Sequence, residues 1–105
     1  MKTDRSISVV IPCLDFKDSV NQVLTALSKQ NLMPDEVILV DSSSNNEIST
    51  LKIKFKRFFK VIYLKEKKAY PGKARNIGVN RANSEFIAFL DSKTVPTKHW
   101  LEQAI

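Results

Sequence analysis

The chain has 105 residues and a mass of 12.0 kDa, which is room for one small domain over residues 1–105 and too little for a second core. Its 43% hydrophobic and 27% charged residues exclude a disordered or collagen-like chain. The net charge of +6 is uneven, because residues 52–75 hold ten Lys or Arg against one acid, Glu66, a net of +9, whereas the remainder is at −3. Charge alone does not choose among nucleic acid, anionic lipid, a phosphorylated small molecule and a merely solvated face as the counterpart of that segment. No apolar run approaches the ~20 residues that cross a bilayer. Met1 to Ser6 is polar and does not open into the apolar stretch of a secretory signal. The lone cysteine, Cys13, excludes an internal disulfide and a multi-cysteine metal site, so a cytosolic, reducing compartment is expected.

In chain order, Ile7 to Ile11 is apolar apart from Ser8 and stops at Pro12, as a buried parallel strand entering a loop would. Val20, Val23, Leu24 and Leu27 then fall on one helical face, with Asp18 or Ser19 as the expected N-cap. Glu36 to Asp41 reads as a second buried strand and ends in the polar cluster Ser42 to Asn46. Ile48, Leu51, Phe55, Phe58 and Phe59 repeat at helical spacing and leave Lys52, Lys54, Lys56 and Arg57 largely on the other side. Val61 to Leu64 is the third strand. Pro71 suits the first turn of a third helix, whose narrow face is Ala74, Ile77, Gly78 and Ala82. Glu85 to Leu90 is the fourth strand; Phe86 to Leu90 lacks any polar residue, so both of its faces are expected to be covered. Pro96 to Ile105 opens another helix.

This alternation is the pattern of βαβ units around a parallel sheet. Right-handed crossovers leave the fourth strand, the most apolar one, at an edge. Either the sequence is a truncated piece of a longer protein whose continuing chain covers that edge, or a second copy covers it, forming a homodimer through the edge of residues 85–90.

Ligands of open α/β sheets bind beyond the carboxyl ends of the strands. There the first strand delivers Pro12, Cys13 and Asp15, the second Asp41, Ser42 and Ser43, and the fourth Asp91, Ser92 and Lys93. Asp and Ser at such ends also serve merely as helix caps. The two glycines, Gly72 and Gly78, exclude the G-x-G-x-x-G fingerprint and the P-loop. The single histidine, His99, has nothing to mark it as a base and reads as a surface residue. The helix start at Pro71 to Ala74 offers free N–H groups and a positive dipole end, with Lys73 and Arg75 beside it, and this suits a diphosphate.

The strings SVVIPCLDFKDSVNQVLTAL, EVILVDSSSNN and AYPGKARNIGVNRANSEFIAFLDSK, with VPxxxWL after them, resemble the N-terminal, nucleotide-binding half of the family 2 glycosyltransferases of GT-A fold. The resemblance covers nearly the whole chain. It implies a Rossmann-like α/β half-domain with a four-stranded, mainly parallel sheet in the order 3-2-1-4 and helices on both faces. It also implies binding of a nucleoside-diphosphate sugar, most often a UDP-sugar, for transfer to a glycan or lipid-linked acceptor. By position, Pro12, Cys13 and Asp15 would line the base pocket, and Asp41 would contact the base with Ser42 beside it. Gly72, Lys73 and Arg75 would approach base and diphosphate, and Asp91, the first acid of a D-x-D motif, would lie near ribose and a Mg²⁺ or Mn²⁺ ion. Lys93 stands where that motif has its second acid, and an ammonium there repels a cation. It either replaces part of the metal's charge or points to solvent.

An inverting transferase needs a carboxylate base, which the family carries in the half that follows. No residue here matches it, so this piece is expected to bind donor without transferring sugar. Two other readings stand beside this one: a non-catalytic nucleotide- or anion-binding module, and a basic nucleic-acid binder using residues 52–75. That segment contains Phe55, Phe58, Phe59, Tyr63 and Tyr70, but its phenylalanines sit at core spacing. Its basic helix is also a candidate for peripheral contact with anionic lipid.

Overall fold

The structure, a computed structural model, describes residues 6–68 and 71–105, so Tyr70 lies outside the described residues. Strands β1 (Ile7–Cys13), β2 (Glu36–Asp41), β3 (Lys60–Lys65) and β4 (Phe86–Phe89) form one parallel sheet in the order β3-β2-β1-β4. In register, Val10 stands between Ile38 and Phe89, and Ile38 faces Ile62 on β3. Because strand side chains alternate, each such row belongs to one face of the sheet.

One face carries Ile7, Val9, Ile11, Val37 and Leu39 and is covered by helix α1 (Lys17–Leu27) through Val20, Val23, Leu24 and Leu27. These four side chains are fully buried and contribute roughly 1.5–3 kcal/mol each. The other face carries Val10, Ile38, Val40 and Ile62 and is covered by helix α3 (Pro71–Arg81) through Ala74 and Ile77, and by Ala82 just after it. Gly78 brings α3 onto the sheet: a Cβ there would stand 2.3 Å from Cγ1 of Val10. At the amino end of the strands the buried Glu36 carboxylate accepts from Ser8 Oγ at 2.6 Å and from the Asn83 N–H at 2.7 Å, which fixes the exit of α3.

The structure departs from the sequence expectations at several element ends. β1 runs through Pro12 to Cys13 instead of stopping at the proline. The Val10 carbonyl accepts from Leu90 N–H and the Cys13 carbonyl from Ser42 N–H, so residue 12 faces the β4 side, where β4 has already ended. The missing proline N–H therefore costs no ladder bond. Neither Asp18 nor Ser19 caps α1. The cap position is Phe16, held in the left-handed region at φ 56° and ψ 61°, and Ser19 Oγ instead donates to the Ser92 carbonyl at 2.9 Å.

The second helical stretch divides into a 3₁₀ turn (Glu47–Thr50) and the short helix α2 (Leu51–Phe55). Since the chain leaves the helix after Phe55, Phe58 no longer falls on the inner face and is 39% exposed, while Phe55 and Phe59 stack in the core at 6.3 Å. Ala88 on β4 and Leu90 just after it are buried, but Phe89 is 44% exposed, contrary to a strand covered on both faces. Its ring is met by Arg75 from the first turns of α3, whose guanidinium carbon lies 5.9 Å from the ring centroid. Helix α4 (Trp100–Ala104) begins four residues after Pro96. No helix among the described residues is long and apolar enough to cross a membrane.

Candidate functional site

Three loops leave the carboxyl edge of the sheet and are tied to one another. The Asp15 N–H donates to Ser43 Oγ, and Asp15 Oδ1 accepts in turn from the Ser44 N–H at 3.3 Å. Asp15 and Phe16 both have positive φ, 55° and 56°, a costly backbone for a phenylalanine. These cross-loop bonds, with the Ser19 to Ser92 bond, hold the turn. Phe16 is thereby left 65% exposed at the edge of a cleft instead of in the core.

The cleft measures ≈ 370 Å³ and lies over the ends of β1 and β4, beside the first turns of α3. Of the residues singled out in the sequence, it gathers Pro12, Cys13, Asp15, Ser42, Arg75, Asp91 and Lys93. Its cations lie against aromatic rings, Lys93 Nζ 5.0 Å from the Phe16 centroid and the Arg75 guanidinium carbon 5.9 Å from that of Phe89. Asp91 Oδ1 accepts from the Lys93 N–H at 2.8 Å, which turns the loop sharply after β4. Ser42 Oγ is buried without a hydrogen-bond partner and borders the cleft. Such an orphan costs free energy until a ligand or water satisfies it.

Asp41, Gly72 and Lys73 are not among the lining residues. Asp41 pairs in register with Cys13 and Lys65 and is 0% exposed. Its Oδ1 accepts from the Ser43 N–H at 2.9 Å and its Oδ2 from the Tyr63 hydroxyl, with Lys65 Nζ 3.7 Å away. This carboxylate thus anchors the loop after β2 from below. Gly72 is exposed with open space around it, and Lys73 lies 3.8 Å from Glu66. Burial, and then the neighbouring Asp41, push the Cys13 thiol far above its usual range, so it is a neutral thiol and no nucleophile. Burial and the hydrogen bond to Asp41 likewise push the Tyr63 phenol up. His99 is exposed and stands 2.5 Å from Glu102, outside the cleft.

The sequence reading missed Phe16 and Phe89 as cleft walls. Phe16 stands next to Asp15 and outside the helical pattern of Val20 to Leu27, and that placement was the available signal. Phe89 lies on an edge strand, where one face was free to be open.

A divalent cation of the hard kind takes about six oxygen ligands. Among the described residues no three His, Cys, Asp or Glu side chains come together to hold one. In the cleft the carboxylates are those of Asp15 and Asp91, and Lys93 stands two residues after the latter, so an ion there would be held by these two acids together with oxygens of a bound ligand.

Residues 8–105 match the family model described as glycosyl transferase family 2. Over 101 residues the chain is 31% identical to the poly(ribitol-phosphate) β-N-acetylglucosaminyltransferase TarS of Staphylococcus aureus, covering 92% of this chain and 18% of that protein. Over 99 residues it is 30% identical to an uncharacterised glycosyltransferase of Rickettsia conorii, covering 94% and 16% respectively. It thus spans less than a fifth of the length of either relative. The crystal structure of S. aureus TarS in complex with UDP-GlcNAc superposes with a TM-score of 0.81 at 27% identity, covering 94% of this chain and 30% of that one. A mannosyltransferase of Pyrobaculum calidifontis in complex with GDP-Man and Mn²⁺ shares the fold, with a TM-score of 0.78 at 18% identity over 90% of this chain and 29% of the other.

Proposed function

The chain belongs to glycosyl transferase family 2, and on that footing we propose that it is the donor-binding part of an inverting glycosyltransferase that uses a nucleoside-diphosphate sugar, in the first place a UDP-sugar. The observation that carries this reading is the cleft itself, which joins two cations, Arg75 and Lys93, to the unpartnered Ser42 hydroxyl at the carboxyl edge of the sheet. Pro12 and Cys13 form an apolar floor for the base, and Ser42 gives it a hydrogen bond. Phe16 and Phe89 wall the cleft on either side. Arg75, in the first turns of α3, and Lys93 face the diphosphate, where guanidinium and ammonium groups are most effective. Asp15 and Asp91 receive ribose hydroxyls, while Gly72 and Lys73 lie along the approach to α3. Asp41 acts from beneath, by holding the Ser43 N–H and so the loop that carries Ser42.

The acceptor, read as a glycan or a lipid-linked saccharide, and the carboxylate base that deprotonates its hydroxyl belong to parts of the protein outside these 105 residues. The piece by itself binds donor and does not transfer sugar. A non-catalytic nucleotide-binding module is the second reading, and Lys93 in the place of the motif's second acid is what favours it.

Calorimetry with UDP, UDP-GlcNAc and GDP, each with Mn²⁺ and with EDTA, tests the proposal. Saturable UDP binding weakened about tenfold or more by Arg75→Ala is expected, a loss of about 1.4 kcal/mol. Absence of binding to all three nucleotides would overturn it. Sugar transfer by the longer protein separates enzyme from module.

A further inference from the structure

The basic segment is not used by the cleft and has a surface of its own. A groove of ≈ 690 Å³ runs between α2 and the edge strand β3, across the sheet from the cleft. Lys52, Lys56, Arg57 and Lys60 line it, and Arg81 closes it from the end of α3. Among the described residues, the ion pairs engage Lys65, Lys73 and His99 and none of these five cations. Two apolar side chains project between them: Ile53, 71% exposed, and Phe58. The Arg57 guanidinium carbon lies 5.0 Å from the Phe58 ring centroid. Lys54 is turned away and donates to Asn21 Oδ1 at 2.6 Å.

Five cations demand an anionic counterpart, and the apolar tip decides which kind. A single-stranded nucleic acid needs free aromatic faces for its bases. Here Phe55 and Phe59 are stacked in the core, the Tyr63 hydroxyl is committed to Asp41, and Phe58 already carries Arg57 on its ring. The most exposed apolar group of the patch, Ile53, is aliphatic and has nothing to offer a base. An aliphatic and an aromatic side chain projecting beside Lys and Arg are what a lipid headgroup layer accommodates, the apolar groups entering toward the acyl boundary and the cations remaining at the phosphates. We propose that the α2–β3 face docks on an anionic bilayer surface, with Ile53 and Phe58 entering the headgroup layer and Lys52, Lys56, Arg57, Lys60 and Arg81 facing lipid phosphates. This does not depend on what the cleft binds.

Cosedimentation of the protein with vesicles tests it, using phosphatidylglycerol and phosphatidylcholine in equal parts against phosphatidylcholine alone. Binding to the mixed vesicles and not to the neutral ones is expected. Lys52→Glu with Lys56→Glu weakens it about 25-fold or more, at about fivefold per cation lost. Ile53→Ser with Phe58→Ser weakens it several-fold, although charge is unchanged. All four positions are exposed, and an unchanged melting temperature for each double variant shows that the fold is kept. Equal binding to both vesicle types, or no binding, overturns the proposal. So does tighter binding to polyuridylate that the serine variant leaves untouched, since that outcome assigns the face to nucleic acid.

Discussion

The carboxyl-edge cleft and the α2–β3 groove both set cations against aromatic rings, Lys93 on Phe16 at 5.0 Å in the first and Arg57 on Phe58 at 5.0 Å in the second. They differ in what surrounds those cations. In the cleft, Asp15 and Asp91 share the space with Arg75 and Lys93, a buried hydroxyl lacks a partner, and the loops are cross-tied by Ser43, Ser44 and Ser19. In the groove the cations come from α2, the β3 edge and the end of α3, with an exposed isoleucine among them and no acid in the lining. Mixed charges on a pre-tied rim suit one small, shaped anion, whereas cations of one sign with exposed apolar side chains among them suit an extended surface. The segment's excess of charge, counted along the chain, merges the two regions, since Arg75 belongs to one and Lys52 to the other.

The largest disruption removes both regions together. Gly78→Ala places a methyl 2.3 Å from Cγ1 of the fully buried Val10, and α3 has to lift from the sheet. The helix propensity gained, about 1 kcal/mol, is smaller than the overpacking, so a net loss of about 1–2 kcal/mol is expected in chemical denaturation. Tyr63→Phe separates the regions more finely. It takes one donor from the buried Asp41, which keeps the Ser43 N–H and Lys65, and costs about 1 kcal/mol. UDP affinity should fall with it because the loop carrying Ser42 loosens, while vesicle binding stays. A Tyr63→Phe protein that lost vesicle binding and kept its UDP affinity would contradict this division.

Arg75→Ala should act on the cleft alone, lowering UDP affinity about tenfold as measured by calorimetry and leaving vesicle binding at its original strength. The alkaline limb of stability is a smaller effect. Folding shifts the ionisation of both Cys13 and Tyr63 to higher pH, chiefly by burial, so the folded chain keeps protons that the unfolded chain releases. Their contribution is complete below the ordinary thiol and phenol range, roughly pH 8.5 to 10, and declines as pH rises through it. Urea midpoints should fall there, less steeply in Cys13→Ala. Smallest of all is His99→Ala, which breaks an exposed pair with Glu102. It should leave melting, UDP binding and vesicle binding unchanged.

Much of the architecture was legible locally. Glu36 to Asp41 is a strand with those bounds, and Val20, Val23, Leu24 and Leu27 are the buried stripe of α1. The strand order follows the order read from the motifs. Backbone geometry sets the periods of strand and helix, so the spacing of apolar residues along the chain already states which of them share a face. The strand-end residues Pro12, Cys13, Asp15, Ser42, Asp91 and Lys93 were legible for a related reason, because parallel strands deliver their carboxyl ends to one edge.

Direction and exposure beyond the strand ends were settled only by contacts between distant residues. Asp41 turns under the rim because Tyr63, on the neighbouring strand, supplies a hydroxyl to it. Phe16 stands in the cleft because bonds from Asp15 to Ser43 and from Ser19 to Ser92 hold a left-handed turn that its own residue type disfavours. Phe58 faces outward because α2 ends at Phe55, one turn earlier than its phenylalanine spacing implied. A repeating pattern specifies a face as long as the backbone repeats. Where the chain turns, the conformation is chosen by partners that lie tens of residues away, and these come together only when the sheet has formed.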